Sequence, residues 1–478
     1  MRCASCCLFV ATCAVLLWME PAAGVPPKRG PRPPAVRTWS DTTGEHKIRA
    51  TFVAVVDEQV QLKKADGTVI SVPLERLCKA DRDWIERHGK TAAAGSTAAT
   101  DWPGWRGPNR DGKSPDKGLL KQWPDGGPSL AWKISDLGVG FSSVAVVGGT
   151  IYVTGQASDG QYLHALDLDG KRKWKVLAGP AWTANYPGVR ATPTVDGGLV
   201  YLLSGTGVVG CFDAETGRQR WGADAKQFGG RPGGWGYAES VLIWQNLAIF
   251  KPGGTNCVVA LDKTNGRPVW SSQGFAAGPE YSSCLAFEHD GAPLVATGTR
   301  EGIVCLNPKR GSVLWTNRFS AGNTANCPTP AYSDGYVFWA NGYNKGGICL
   351  KLGANGQASE AWTTADMNCH HGGYVIHNGY VYGNNGNGFA CLDLKTGEKK
   401  WQERAVGKGS LCWADDMLYL FSERGQAALA TCSPDRLEMK GEVRVEGEGP
   451  SWAHPVVIGG RLYLRYDTNL YAYDVKAK

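Results

Sequence analysis

The stretch DMNCHHGGY at 366–374 sets Cys369, His370 and His371 side by side ahead of a glycine pair. A thiol and two imidazoles are transition-metal ligands, and imidazoles also move protons. On an extended strand, however, successive side chains point to opposite faces. The trio can meet at one ion only if the backbone is irregular there and other loops add ligands, so no metal centre is expected from these residues alone. Other signatures are missing: the sequence has no Walker-type phosphate loop, no HExxH and no GxSxG. No catalytic residue is assigned.

What carries this stretch is a repeat. The segments YLHALDLDGKRKW, VVGCFDAETGRQRW, CVVALDKTNGRPVW, GIVCLNPKRGSVLW, GICLKLGANGQASEAW and GFACLDLKTGEKKW end on Trp174, Trp221, Trp270, Trp315, Trp362 and Trp401. They recur roughly every 40 to 50 residues, the period of a β-propeller blade of short strands. Each unit runs from an inner strand through a Gly or Asn turn to the ALD strand, then through a TG turn to an outer strand carrying Trp. Asp213 and Asp393 start turns that need Gly217 and Gly397. Inner strands are expected near Val144, Pro193, Leu242, Leu285, Pro330, Tyr374, Leu411 and Pro455. The seventh unit is degenerate and the eighth lacks an outer strand, which SLAWKI around Trp132 supplies. The expected fold is all-β, an eight-bladed propeller over 130–478 after a lead-in at 101–129, closed end to end so that no sheet edge stays open. Gly 64 and Trp 19 against Met 5 suit tight turns with large apolar anchors.

In this register DMNCHHGGY leads into the sixth blade, and its counterparts ring one face of the central channel. Loops held on a rigid scaffold carry binding residues. The candidates for a ligand-binding face are Arg190, Trp235, Tyr237, Glu239, Tyr281, Asn326, His370, His371, Trp452 and His454. Aromatic rings among Arg, Asn, His and Glu suit a protein, peptide or glycan ligand; the alternative is that they pack the loops together. Cys211, Cys305, Cys349 and Cys391 occupy the position of Ala165, Ala260 and Ala472 and are expected as small buried fillers. Cys284, Cys327, Cys369 and Cys412 fall at the starts of inner strands. His164 is expected to face outward.

Residues 1–24, with Arg2, an apolar run to Met19 and small residues at Ala22, Ala23 and Gly24, read as a secretory signal rather than a transmembrane anchor. An exported protein is expected, in periplasm, envelope or extracellular space. Four of the 15 cysteines lie in that leader and eleven beyond it, an odd number that leaves at least one thiol without a partner in the chain. A formal charge of +7 without a basic cluster in the folded part argues against nucleic acid. Residues 25–36, rich in Pro, Arg and Lys, and 90–100, small and polar, read as linkers around a small unit at 37–89. There Ile48, Ala50, Phe52 and Ala54 alternate, ADGT marks a hairpin, and Leu74, Leu77, Asp81 and Ile85 follow a helical spacing.

Arg37, Trp39, Gly44, Phe52, Val60, Leu62, Lys63, Gly67, Val72, Pro73, Leu74, Leu77, Asp81 and Ile85 make the 37–89 unit resemble the first homology domain named after the yeast adaptor Sla, an SH3-like barrel. The resemblance implies a peptide- or protein-binding module. The pattern ALDxxTGxxxW, as over 390–401 with Cys391 at the Ala position, resembles the repeat of quinoprotein propellers. These include dehydrogenases using pyrroloquinoline quinone (PQQ) and the BamB-type assembly factor. DWPGWRGPNRDG at 101–112 resembles the lead-in of such propellers. In the dehydrogenases, the resemblance implies a quinone between a Trp and a disulfide of adjacent cysteines, with calcium on carboxylate and amide groups. The only adjacent cysteines here are Cys6 and Cys7, in the leader. The expectation is therefore a non-enzymatic binding or scaffold protein without cofactor, whose two tethered modules engage one partner. The alternative is an alcohol or sugar dehydrogenase with PQQ and calcium, with Arg190 and Trp235 touching the quinone and Glu239 or His371 assisting proton removal.

Overall fold

A computed structural model describes residues 36–56, 59–64, 69–92 and 101–477. The leader, the basic linker up to residue 35, the ADGT turn and residues 93–100 lie outside the described residues. The chain divides into two units, Met1–Ala93 and Ala94–Lys478.

In the first unit β1 (Arg37–Ser40), β2 (Lys47–Val56), β3 (Gln59–Lys64) and β4 (Val69–Pro73) form an antiparallel meander, followed by α1 (Lys79–Ala92). Trp39, Ala50, Phe52, Val60, Leu62, Leu77 and Ile85 make its core. The Trp39 indole donates to the Ala50 carbonyl at 2.9 Å. The expected helix over 74–85 is broken: Leu74–Arg76 is one 3₁₀ turn, and Leu77 is extended before α1 starts. The break lets Leu77 enter the core and turns Asp81 inward. Its buried carboxylate accepts from the Arg37 guanidinium and, at 2.7 Å, from the Ser40 N–H. The same guanidinium lies over Trp39 and Trp84, 4.6 Å from each ring centroid. α1 also runs three residues, 90–92, into what reads as the following linker.

The second unit is the eight-bladed propeller. Blade one holds Ala145–Val147, Thr150–Ala157, Gly160–Asp167 and Arg172–Gly179, and blades two to six repeat that four-stranded antiparallel order. The inner strands begin at Thr194, Leu242, Leu285, Ala331 and Tyr374. Blade seven, degenerate in sequence, still has four strands, and Lys113–Ser114 adds a fifth, parallel to Gly409–Ala414. Blade eight takes Ser129–Ile134 as its outer strand, with Ala472 opposite Trp132. The buried Arg465 of blade eight also donates to the carbonyls of Gly138 and Thr154, at 2.8 and 2.5 Å, tying the last blade to the first.

One geometry repeats between blades. Ala165, Cys211, Ala260, Cys305, Cys349, Cys391 and Ala472 each stand directly across the ladder from a Trp, and the register slips just beyond. A small residue is required because the indole folds away over the next blade. Trp174, Trp221, Trp270, Trp362 and Trp401 donate to the carbonyls of Ala214, Lys263, Pro308, Leu394 and Ser433, all in the following blade. Trp315 is the exception, its indole nitrogen lacking a partner among the described residues. Blade five spends more residues between Cys349 and Trp362 than blade six does between Cys391 and Trp401, which carries its turn away from Trp315.

Candidate functional site

The propeller axis is filled by the lead-in. Arg106 and Arg110, both buried and both at positive φ, point their guanidiniums into the channel wall. Arg106 donates to the carbonyls of Arg110, Asp111 and Tyr374. Arg110 donates to Ser240, Val241 and Cys284 carbonyls and to the Thr194 hydroxyl, stitching blades two, three and four together. Burial lowers both pKa values, and among the described residues no carboxylate is bonded to either guanidinium, so carbonyl dipoles compensate the charges. Trp105, held by an indole hydrogen bond of 2.9 Å to Thr329, rises from this plug to wall one cavity of the channel.

That cavity has a volume of about 200 Å³. Trp105, Phe141, Tyr186, Trp235, Tyr281, Tyr343 and Trp452 supply its aromatic wall, joined by Arg190, Cys327, His370 and His371. The rings form a continuous ladder. Phe141 stacks on Trp452 at 4.5 Å, Trp452 on His371 at 4.4 Å, His371 lies 3.6 Å from His370, and Tyr343 meets His370 edge-on at 4.8 Å. Offset and edge-on rings attract one another beyond the area they bury. Blades one, eight and six are thereby joined through their leading loops, and blade five joins them through the turn between its second and third strands.

The backbone from Met367 to Gly373 is irregular, so both histidines reach the same cavity. A Cβ at Gly372 would stand 1.8 Å from the Gly409 carbonyl oxygen, so only glycine allows this approach. Gly373, at φ +64°, faces the His454 ring, where a Cβ would lie 2.8 Å away. The Lys408 ammonium lies 3.0 Å from His370 Nδ1 and 3.0 Å from a Glu423 oxygen, which in turn is 3.3 Å from His371 Nδ1. Burial, with help from His371 and Lys408, pushes His370 down to about 2. Burial also lowers His371, against the opposing hydrogen bond to Glu423. Both imidazoles are neutral at ordinary pH. Burial raises Glu423, but His371 and Lys408 overcome it and hold the carboxylate ionised.

Of the ten candidate residues, Arg190, Trp235, Tyr281, His370, His371 and Trp452 line the cavity. The other four are corrections. Tyr237 is buried and donates to the Pro252 carbonyl at 2.8 Å, fastening the loop before blade three. Glu239 is sealed at the junction of blades three and four, where it accepts from the Lys251 N–H at 2.5 Å and pairs with its ammonium at 3.3 Å. Burial raises its pKa against the pull of Lys251, and it faces no ligand. Asn326 folds its own loop, donating to Glu280 at 3.2 Å and Gly322 at 3.0 Å while accepting from the Ala321 N–H. His454 packs behind the cavity on Trp105, 4.6 Å between centroids, its Nε2 2.9 Å from the His371 carbonyl oxygen. Arg190 reaches the cavity but spends its donors on the carbonyls of Gly188, Asn185 and Tyr186. His164 is fully buried instead of outward, because it lies on the third strand of blade one, Gly160–Asp167, which the neighbouring blades cover on both faces.

Trp105, Phe141, Cys327, Tyr343, Lys408 and Glu423 escape sequence reasoning. Cys327 is visible as a cysteine at an inner-strand start, and Trp105 lies in the quoted lead-in. Tyr343 sits in a turn between second and third strands, where the repeat gives no reason to look. Cys369 turns into the core, its thiol toward the Gly373 carbonyl. None of the eleven described cysteines is bonded to another, and Cys211, Cys305, Cys349 and Cys391 are buried as expected. Burial raises all four thiols to about 12, which keeps them unreactive.

The donor set does not suit a calcium–quinone centre. Calcium takes six to eight oxygen ligands, carboxylates foremost, and among the described residues no Asp or Glu lines the cavity. Glu239, Glu280 and Glu423 are each committed to a cation outside its wall. A second cavity of about 490 Å³ lies farther along the inner strands, across the plug. Its carboxylates, Asp111 and Asp196, pair with Lys113 and Lys263.

Comparison with known proteins agrees with both units. The family profile described as outer membrane protein assembly factor BamB matches residues 161–403, just over half of the chain, and that of SLA1 homology domain 1 matches 27–93. The actin cytoskeleton-regulatory complex protein sla1 of Schizosaccharomyces pombe is 39% identical over 51 residues, 11% of this chain and 4% of its own length. The quinoprotein alcohol dehydrogenase PedH of Pseudomonas putida is 28% identical over 225 residues, 44% of this chain and 35% of its own. The chain thus spans only a small part of the curated relatives it matches. BamB from Moraxella catarrhalis shares the fold at a TM-score of 0.54 and 16% identity, over 73% of this chain and 98% of that one. Among the described residues no helix is long and apolar enough to cross a membrane.

Proposed function

We propose that this chain, which belongs to the family of the outer membrane protein assembly factor BamB, is an exported, non-enzymatic binding protein. Its propeller cavity takes one apolar or aromatic side chain of a protein or peptide partner, and its SH3-like unit makes a second contact. The observation that carries this is the ring-walled cavity beneath converging loops. A small concave site lined by rings, with few polar groups, suits the anchor residue of a protein ligand better than a glycan, which needs many directed hydrogen bonds. Arg190 offers few such bonds, since three loop carbonyls already hold it. The leader-like residues 1–24 support export, and the small polar segment at 90–100 supports two modules on one tether.

The test is a peptide array displaying single aromatic, aliphatic and charged anchors, followed by titration of the strongest peptides against intrinsic tryptophan fluorescence. Saturable quenching by ring-bearing peptides that is lost in Trp235→Ala is expected. Reconstitution with PQQ and calcium is the opposing arm. Dye-coupled alcohol or sugar oxidation that Trp235→Ala abolishes would replace a binding protein with a dehydrogenase of the PedH kind.

A further inference from the structure

We propose that Cys327, His370 and His371 form a binding site for one zinc-class divalent ion, with a fourth coordination position open to the cavity. The inference goes beyond ligand binding and does not depend on which ligand the cavity takes. The ligand atoms of these three side chains all lie within 4.8 Å of one another. A tetrahedral ion with bonds of about 2.3 Å to sulfur and 2.0–2.1 Å to nitrogen needs them roughly 3.3 to 3.6 Å apart. Side-chain rotation of about an ångström closes that gap. The three residues come from the leading loops of two adjacent blades, so a rigid scaffold sets their separation.

The hydrogen bonds already prepare the two imidazoles. An ammonium can only donate, so Lys408 marks His370 Nδ1 as a lone-pair nitrogen, and the Nε2–H donates to the Tyr343 hydroxyl at 3.0 Å. An ionised carboxylate can only accept, so Glu423 takes the Nδ1–H of His371 and leaves Nε2 with its lone pair. A carboxylate behind a histidine ligand is the usual support of a metal site. Lys408 is the group an ion would displace from His370, and Glu423, 3.0 Å from it, retains it afterwards. Cys327 adds a thiol that an ion would hold as thiolate, releasing one proton. Sulfur with two imidazoles selects zinc over magnesium or calcium. Three protein ligands with one open position leave room for water or a partner's donor group.

The test uses the full chain, stripped with chelator and titrated with cobalt(II) as a spectroscopic stand-in. One equivalent should produce a thiolate-to-cobalt charge-transfer band in the near ultraviolet and strong four-coordinate visible bands, both bleached by one equivalent of zinc. Cys327→Ser should remove the charge-transfer band, His371→Gln should weaken binding at least tenfold, and Cys369→Ser should change neither. X-ray absorption of the zinc-loaded, unmutated protein gives a second readout that needs no variant, one sulfur at about 2.3 Å with nitrogen at 2.0–2.1 Å. Stoichiometric binding with a sulfur-free shell, a band that survives Cys327→Ser, or no cobalt bound would each overturn the site. Peptide quenching measured with and without chelator separates this outcome from the binding function, because a failed metal site leaves the aromatic cavity unchanged.

Discussion

Trp221 stands directly across the ladder from Cys211 in blade two, and its indole donates to the Lys263 carbonyl of blade three at 2.9 Å. The ring also lies against Gly266, where φ is +74° and a Cβ would come within 2.6 Å of Trp221 Cε3. The turn before one blade's outer strand is thus the floor on which the previous blade's Trp rests. Gly266→Ala should cost about 2–3 kcal/mol through overpacking and an unfavourable φ. Trp221→Ala should cost about 3–5 kcal/mol. The midpoint of guanidinium unfolding, compared with wild type, reads both.

Arg110 serves four acceptors in three blades with one planar fork. Lysine keeps the charge but cannot reach divergent carbonyls together. Arg110→Lys should therefore destabilise the propeller by about 2–4 kcal/mol, because buried carbonyls lose partners. Faster limited proteolysis within the lead-in, with no new cleavage in blades five to seven, is the expected pattern.

The blades were legible because their grammar is local. A small residue, a turn glycine and a Trp recur in fixed order, and each is demanded by a contact visible within one unit and its neighbour. The cavity was half legible. Arg190, Trp235, Tyr281, His370, His371 and Trp452 sit in loops that the register brings to one face, so chemistry and position together pick them out. Glu239 and Tyr237 come from the same loop as Trp235 yet turn away, since Gly236, at φ +77°, turns the chain between them and breaks any regular alternation. Trp105 and Tyr343 depend on how the lead-in threads the axis and how far a turn leans, which no repeat encodes. Cys327 and Cys369 exchange roles for the same reason: both lie at inner-strand starts, and only the irregular backbone before Tyr374 decides which thiol meets the histidines.

His164 makes acid stability a test of the closure between first and last blades. Its ring is fully buried between Val153 and Lys175 on the neighbouring strands, and neither nitrogen has a partner among the described residues. Burial, aided by Arg172 and Arg465, lowers its pKa from 6.5 to about 3. The unfolded chain therefore binds a proton that the folded chain refuses between those values. The residue's contribution to stability is complete above pH 6.5 and is lost as pH falls toward 3, at up to roughly 1.4 kcal/mol per pH unit. His164→Leu should flatten that part of the profile and raise stability most at its acid end, near pH 3. Thermal unfolding from pH 3 to 8 measures it, and an unchanged slope would place the acid sensitivity at the other buried imidazoles, His370 and His454, whose pKa values burial lowers to about 2 and about 3.

Trp452 occupies the middle of the ring ladder, 4.5 Å from Phe141, 4.4 Å from His371 and 4.9 Å from Tyr186. Its indole nitrogen is buried without a partner among the described residues, so the side chain is there for its faces. Removing it opens the wall between blades one and six and frees the His371 ring, whereas a phenyl ring keeps the stack. Trp452→Ala should lose more than tenfold in affinity for ring-bearing peptides, and Trp452→Phe should lose less than threefold, with each stacked ring worth about 0.5–1.5 kcal/mol. Titrating both variants by calorimetry, which does not rely on the fluorescence of the missing indole, separates the two. Equal losses would mean that the indole contacts the ligand through its edge, and that the stack is only packing.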